Sequence, residues 1–173
     1  MSHLKNLQHK QVNNRADLKK RIAAWKAEGK KVVFTNGCFD ILHKGHVTYL
    51  ALAADCGDVM VLALNSDDSV RRQGKGDDRP VNGFDARATV IGALGYVDLV
   101  VEFDEDTPYN LIKEIVPDVL VKGGDYDPEV ADQNDKKYIV GRDVVLDNGG
   151  EVKTVDLVDG FSTTGIIRKL RKC

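Results

Sequence analysis

Residues 31–46 read KVVFTNGCFDILHKGH, and this stretch decides the fold. Its first five residues, KVVFT, form a β-branched and aromatic run that is typical of a buried strand. After a turn, Val47, Leu50 and Ala54 recur at helical spacing and mark one face of a helix. The stretch therefore predicts a strand, a tight turn and a helix, which is the first half of a βαβ unit.

The same alternation of strands and helices continues along the chain. Apolar runs predict further strands at 58–65, 98–101, 118–123 and 151–157. Helical spacing predicts helices at 14–29, at 84–94, after Pro108 and at 162–170. Asn14 and Asn82 are the expected caps of the first two of these helices. Such alternation implies crossover connections and a mostly parallel sheet, whose ligands bind outside the carboxyl ends of the strands.

The composition limits the class of protein. A chain of 173 residues with 42% hydrophobic residues suits one compact domain, in which we distinguish a polar leader and amphipathic helix at 1–30 from the core at 31–173. The formal net charge of −2 would not attract nucleic acid or an anionic membrane, so a small-molecule partner is expected. The three cysteines form no CxxC pair, which favours reduced thiols and gives no zinc site. No apolar run is long enough to span a membrane, and together these features favour a cytoplasmic location.

Two histidines, His43 and His46, stand at the predicted junction of strand and helix, with Gly45 between them. A helix amino terminus offers free N–H groups and a partial positive charge, so it is a ready site for phosphate. Two ring N–H donors beside it would stabilise the charge that develops on phosphorus during in-line attack. The alternatives are a pair that only caps and packs, and a metal site, for which a third ligand at usable spacing is missing.

The segment TNGCFDILHKGH at 35–46 resembles the signature of the HxGH nucleotidyltransferase superfamily. Five further segments resemble, in their order, the adenylyltransferases that make ADP-heptose for lipopolysaccharide: NSDDSVRR (65–72), RPVN (79–82), EDTP (105–108), PDVLVKGGDY (117–126) and STTGII (162–167). The resemblance covers nearly all of the predicted core. It implies an α/β, Rossmann-like three-layer sandwich in which ATP, with Mg²⁺, donates AMP to D-glycero-β-D-manno-heptose 1-phosphate and releases pyrophosphate.

The resemblance also implies roles for individual residues. The transferring phosphoryl group is expected to meet three catalytic residues, His43, His46 and Lys122. The nucleotide is expected on Thr35, Asn36, Gly37, Cys38, Phe39, Gly45, Asn65, Arg79, Gly123, Ser162, Thr163 and Thr164. The acceptor is expected on Asp40, Asp67, Arg72, Lys75 and Asp125, and no metal ligand is assigned to the protein.

Several of these residues also have a structural explanation. The hydroxyls at 162–164 open the last predicted helix, where they would cap free N–H groups that a phosphate could also use. Lys122 ends a strand before two glycines, so it either reaches a phosphate or is solvated in a turn. Asp40 either contacts a ligand or orders a turn. The basic cluster at 71–79 either closes over pyrophosphate or is a solvated surface.

Two other functions stay open from the residues alone. A cytidylyltransferase acting on glycerol 3-phosphate or a similar alcohol phosphate would share the motif and differ in its base preference. A non-catalytic nucleotide-binding module would keep the fold, although the intact histidine pair argues against it.

The short segment before residue 31 could not hold a kinase, so the resemblance implies that a separate heptose kinase supplies the substrate; it also implies a homodimer. Two features depart from the family pattern: Gly165 replaces an expected asparagine, and the stretch 129–138 is longer.

Overall fold

The six strands of the described chain form one sheet in which every neighbouring pair is parallel. The structure is a computed structural model that describes residues 2–74, 76 and 78–172. The strands are β1 (Gln11–Val12), β2 (Val32–Gly37), β3 (Val59–Asn65), β4 (Leu99–Phe103), β5 (Val119–Gly123) and β6 (Glu151–Val155). The helices are α1 (His3–Lys10), α2 (Arg15–Ala27), α3 (Lys44–Ala54), α4 (Asp67–Arg72), α5 (Phe84–Gly92), α6 (Tyr109–Ile115), α7 (Arg142–Asp147) and α8 (Thr163–Leu170). None of these helices is long and apolar enough to cross a membrane.

Helices cover both faces of the sheet, which gives three layers. Side chains alternate along β2, so that Phe34 packs in one cluster with Leu18 of α2, whereas Val33 packs in the other with Leu50 of α3. Every residue of β3 is buried, as expected for a central strand of a parallel sheet that is covered on both faces. The prediction of an α/β, Rossmann-like three-layer sandwich is confirmed.

The strand order, β1-β4-β3-β2-β5-β6, places a change of direction at β2. From β2 the chain moves outward through β3 and β4, and then returns to add β5 and β6 on the other side. The carboxyl ends of β2 and β5 therefore border a crevice of the kind in which parallel α/β sheets bind their ligands.

The amino-terminal segment is more ordered than its polar sequence indicated. The hydroxyl of Ser2 caps α1 by accepting the N–H of Lys5 at 3.3 Å. Strand β1 then adds Gln11 and Val12 to the edge of the sheet, beside β4. A strand of two residues is too short to show a periodic pattern in the sequence. Its position is set instead by the unpaired backbone groups of the neighbouring strand.

Other differences lie at the ends of elements. Asn82 is not the cap of α5; the cap residue is Gly83, and the Asn82 side chain instead donates to the backbone carbonyl of Asp40 at 2.7 Å. The polar segment after β3 begins as α4, because the hydroxyl of Ser66 caps it by accepting the N–H of Ser69 at 2.9 Å. Helix α7 was not predicted. Strand β6 begins where the predicted strand at 151–157 begins, but it ends two residues earlier, at Val155.

Candidate active site

A cavity of about 770 Å³ opens at this crevice, between the carboxyl ends of β2, β3 and β5 and the first turns of α3 and α8. It brings together most of the side chains to which the sequence assigned a role. Thr35, Asp67 and Arg72 are not part of its lining. Lys75, which was also expected to contact the acceptor, lies outside the described residues.

His43 is the cap residue of α3. Its Nδ1 atom accepts the backbone N–H of His46 at 3.3 Å. The Nε2 atom of His43 is buried and has no hydrogen-bond partner in the described chain. Burial lowers the pKa of His43 below its usual value, so the ring is neutral near pH 7. In a neutral ring whose Nδ1 accepts a hydrogen bond, the proton is on Nε2, which makes that atom a free donor.

The ring of His46 stacks on the ring of His43, with 3.7 Å between the ring centres and 16° between the planes. Burial, followed by the nearby His43, lowers the pKa of His46 to about 4, although the carbonyl of Ile41 favours the protonated ring. The Nδ1 atom of His46 is also buried without a partner among the described residues. Phe39 holds the outer side of this ring, edge to face, with the centres 5.0 Å apart.

These two ring nitrogens are unusual, because nearly all buried polar atoms in folded proteins have a hydrogen-bond partner. Leaving one unpaired costs about 1–3 kcal/mol. Two such atoms, on stacked rings at the start of one helix, point to a polar ligand that supplies the missing partner. An anionic ligand suits the place, since the first turn of α3 adds free N–H groups and a partial positive charge.

Lys122, at the end of β5, is 9% exposed and donates to Oδ1 of Asn36, at the end of β2. Its Nζ atom also lies 5.5 Å from the centre of the Tyr126 ring. Burial lowers the pKa of Lys122 to about 8, although the charges of Asp125 and Cys38 favour the protonated amine. Because the direct hydrogen-bond partner is a neutral amide, the positive charge stays available to an anion in the cavity.

The first turn of α8 faces the histidines. The hydroxyl of Ser162 caps the helix by accepting the N–H of Gly165 at 3.0 Å, and Thr163 donates to the carbonyl of Ile41 at 3.5 Å. Phe161 lies over His43, with the ring centres 6.3 Å apart. This turn therefore places free N–H groups and hydroxyls at the same cavity as the start of α3.

Asp40 is buried, and both of its carboxylate oxygens are bonded within the protein. One oxygen accepts Nε of Arg79 and the N–H of Val81 at 3.0 Å, and the other accepts the N–H of Asn82 at 2.9 Å. Burial alone would raise the pKa of Asp40, but the two backbone N–H groups and the guanidinium lower it below its usual value. These contacts are those of the alternative interpretation, in which Asp40 orders a turn.

Two further residues expected at the acceptor are bonded to protein groups. Asp67 pairs with Arg87 at 2.7 Å, and the side chain of Arg87 has no exposed surface. Arg72 pairs with Asp106 at 2.8 Å. Their expected contacts with the acceptor stay predictions.

The family of the chain follows from its match to known sequences. Residues 34–169 match the model of the cytidylyltransferase-like family. The chain belongs to this family of nucleotidyltransferases. Its α3 start, with the two unpaired ring nitrogens, lies inside the matched region.

This nucleotidyltransferase is similar to part of larger relatives. It is 52% identical over 161 residues to the bifunctional protein HldE of Aeromonas salmonicida (strain A449), a match that covers 93% of the chain and 32% of that relative. For HldE of Geobacter sulfurreducens the identity is 56% over 151 residues, which covers 87% of the chain and 29% of the relative. The chain thus spans about a third of the length of these relatives.

Solved structures agree with the fold of the nucleotidyltransferase. The lipopolysaccharide core biosynthesis protein from Thermoplasma volcanium GSS1 is 27% identical, with a TM-score of 0.57 over 75% of this chain and 98% of that chain. Pantothenate synthetase from Thermus thermophilus gives a TM-score of 0.55 at 16% identity, over 86% of this chain and 62% of that chain, and so supports the fold alone.

The cavity of the nucleotidyltransferase also contains side chains to which the sequence assigned no role. They are Tyr49, Gln73, Asp106, Thr107, Pro108, Tyr126, Val140, Leu157, Val158 and Phe161. Some belong to the segments EDTP and PDVLVKGGDY, so the resemblance had already pointed to the part of the chain in which they lie. Others, such as Gln73 and Leu157, lie after α4 and β6, and only the folded chain determines that these segments reach the cavity. In the described chain, no three His, Cys, Asp or Glu side chains are grouped so that they could hold a metal ion.

Proposed function

We propose that this nucleotidyltransferase transfers AMP from ATP to D-glycero-β-D-manno-heptose 1-phosphate, which yields ADP-heptose and pyrophosphate for lipopolysaccharide core biosynthesis. The observation that carries the reaction class is the pair of buried, unpartnered ring nitrogens of His43 and His46. The acceptor is supported by the resemblance to ADP-heptose-forming adenylyltransferases, by the identity to the HldE proteins, and by the likeness to a lipopolysaccharide core biosynthesis protein.

In the proposed reaction, a phosphate oxygen of the acceptor attacks the α-phosphorus of ATP, and the bond from that phosphorus to the bridging oxygen breaks. Pyrophosphate leaves with the bonding electrons, so no covalent enzyme intermediate is needed. The histidine rings and Lys122 stabilise the charge on the transferring group, and the first turn of α8 binds the triphosphate. The Thr163 hydroxyl donates to a phosphate oxygen in place of the Ile41 carbonyl, and another phosphate oxygen accepts the N–H of Gly165 in place of the Ser162 hydroxyl.

The remaining site residues divide by their contacts. We propose that the turn 36–39, Asn65 and Gly123, which line the cavity, contact the nucleotide. Asp125 lies at the cavity and is proposed to accept a hydroxyl of the sugar. Arg72 is proposed to act on the acceptor after exchanging its ion pair with Asp106, and Lys75 to join it. Asp67 is proposed to act on the acceptor through the carboxylate oxygen that does not bind Arg87.

We propose that Mg²⁺ arrives with ATP, since its usual ligands in such enzymes are phosphate oxygens, water and few protein groups. Bound there, it would neutralise charge on the leaving pyrophosphate. The proposal also includes a homodimer in the cytoplasm and a catalytic domain at 31–173; the resemblance supports these.

The test is pyrophosphate release from ATP or CTP, each paired with the β-heptose 1-phosphate, its α-anomer and glycerol 3-phosphate. Release with ATP and the β-heptose phosphate alone supports the proposal. Release with CTP and glycerol 3-phosphate would replace it by the cytidylyltransferase alternative. His46→Ala is the control for the site: an unchanged rate in this variant would place the activity elsewhere.

A further inference from the structure

Arg87, on α5, is a buried guanidinium that joins the loops behind the active site. Its Nε donates to the carbonyl of Asn82 at 3.0 Å, and Nη1 donates to the carbonyl of Cys38 at 2.8 Å. Its Nη2 donates both to the carbonyl of Asn65 at 2.8 Å and to Oδ1 of Asp67 at 2.7 Å. One side chain therefore fixes the segments that follow β2 and β3 and the segment that precedes α5.

The contact with Cys38 sets the orientation of a peptide group in the cavity. The bond between Cys38 and Phe39 is trans, so the N–H of Phe39 points away from the carbonyl of Cys38 and hence away from Arg87. Both residues line the cavity. In the described chain the N–H of Phe39 has no hydrogen-bond partner.

The backbone at Phe39 also needs an external restraint. Its φ of +44° lies in the left-handed region, which is unfavourable for a bulky residue and persists only where surrounding contacts impose it. The ring of the same residue packs edge to face on His46, 5.0 Å between centres. A rotation of this peptide group would therefore move both a backbone donor and the support of a histidine.

We propose that Arg87 is a positioning residue for nucleotidyl transfer, because it holds the Cys38 carbonyl so that the Phe39 N–H and the His46 ring face the same phosphate. The inference rests on the proposed function only in that a nucleotide phosphate occupies the cavity. It does not depend on which sugar phosphate is the acceptor. A lysine at this position would keep the charge opposite Asp67, but it lacks the planar fork that reaches three carbonyls at once.

A single carbonyl–amide signal can report this peptide group. Of the three cysteines, only Cys38 is followed by phenylalanine, so labelling with [carbonyl-¹³C]cysteine and [¹⁵N]phenylalanine gives one NMR correlation, from the peptide between Cys38 and Phe39. In the parent protein, addition of ATP without acceptor should shift the amide proton of this correlation. In Arg87→Lys the carbonyl carbon should already be shifted without ligand, because its guanidinium donor is gone.

Measurements of kcat and KM distinguish a positioning role of Arg87 from a folding defect in the variant. A displacement of about 1 Å in the site lowers turnover about 100-fold, so kcat of Arg87→Lys should fall to that extent while KM for ATP changes by less than about threefold. The matched control is Arg21→Lys, because Arg21 also donates to a carbonyl, of His9 at 2.6 Å, and pairs with an aspartate, Asp17 at 2.9 Å, but is not part of the cavity lining. This control should keep the parental kcat and the parental Cys38–Phe39 signal.

Two results would overturn the role of Arg87. One is a parent protein whose Cys38–Phe39 signal does not respond to ATP or to CTP, a measurement that needs no variant to fold. The other is a folded Arg87→Lys protein, checked by its thermal transition, with parental kcat and carbonyl shift. A response to CTP alone would support the positioning role and count against adenylyl transfer, so the two proposals fail separately.

Discussion

The Nδ1 atom of His43 accepts the backbone N–H of His46 at 3.3 Å, so one histidine of the pair both begins α3 and determines how its own ring is protonated. The hydrogen bond satisfies one of the free N–H groups of the helix. It also assigns the remaining proton to Nε2, the atom that is buried without a partner in the described chain. The observed cap and the proposed catalytic role thus belong to one side chain, and substitutions can separate them.

His43→Asn should remove catalysis and keep the cap, because asparagine is a preferred cap residue whose side-chain oxygen can accept the same N–H. His43→Ala should lose both. We expect kcat to fall about 100- to 1000-fold in each variant, since each lacks the ring donor. Only the alanine variant should lose about 1 kcal/mol in the free energy of unfolding. Pyrophosphate release and urea denaturation measure the two quantities.

The two variants would contradict this division of roles if kcat followed stability. Parental turnover in His43→Asn would mean that the ring only caps the helix, which is the alternative that the sequence left open. Equal stability of the two variants would mean that the hydrogen bond to His46 does not stabilise α3.

The centre of the site could be predicted because its information is local in sequence. The strand, the turn and the histidines at 31–46 are adjacent in the chain, and a parallel sheet places the ends of its strands at one edge. The same holds for Lys122 at the end of β5 and for the cap of α8 at Ser162. In each case the residue type and its place at an element end already indicate a position at the cavity.

The edge of the site could not be predicted because it depends on contacts between distant segments. Asp40 and Arg79 are separated by 39 positions, and nothing in either segment indicates that they bind each other. Arg87 has the pattern of an ordinary solvated helix residue, yet it is buried because carbonyls from three separate segments converge on it. The two-residue strand β1 depends in the same way on β4.

Gly45→Ala should lower activity without unfolding the protein. A Cβ at this position would lie 3.1 Å from the His43 ring and 3.1 Å from Cβ of Phe161, so the ring and the start of α8 would have to move apart by a few tenths of an ångström. Alanine is favoured over glycine in a helix by about 1 kcal/mol, so the thermal transition should not fall. We expect kcat/KM to drop about tenfold, because reacting groups tolerate little displacement.

The control for this change is Gly95→Ala. At Gly95 an added Cβ meets no atom within 4 Å, so activity should stay parental. Parental kcat/KM in Gly45→Ala as well would show that the close approach of Phe161 to His43 has no part in turnover.

Lys122 should give activity an upper pH limit. Burial lowers its pKa to about 8, so the free enzyme loses this positive charge at a much lower pH than an ordinary lysine. The charged form exists below that value, and kcat/KM for ATP should therefore decline as the pH rises through about 8. In Lys122→Arg the guanidinium stays charged, so the decline should disappear even if the rate is lower throughout. Identical pH profiles for the two proteins would assign the limit to another group.

Asp40→Asn should test whether this carboxylate serves the loops or the acceptor. Its pKa is lowered in the folded protein, so its contribution to stability is present above the unfolded value of 3.8 and is lost as the pH falls through the folded pKa. In the variant only one of the two positions is an oxygen, so the amide oxygen stays on Arg79 and Val81 and the N–H₂ faces the N–H of Asn82. The buried Arg79 guanidinium then has no negative charge beside it, at a cost of about 3–5 kcal/mol. Urea denaturation should therefore show a large loss of stability at neutral pH and a smaller further loss in acid than in the parent. If stability stays parental and only KM for the acceptor rises, Asp40 binds the acceptor and the internal bonds to Val81 and Asn82 are incidental.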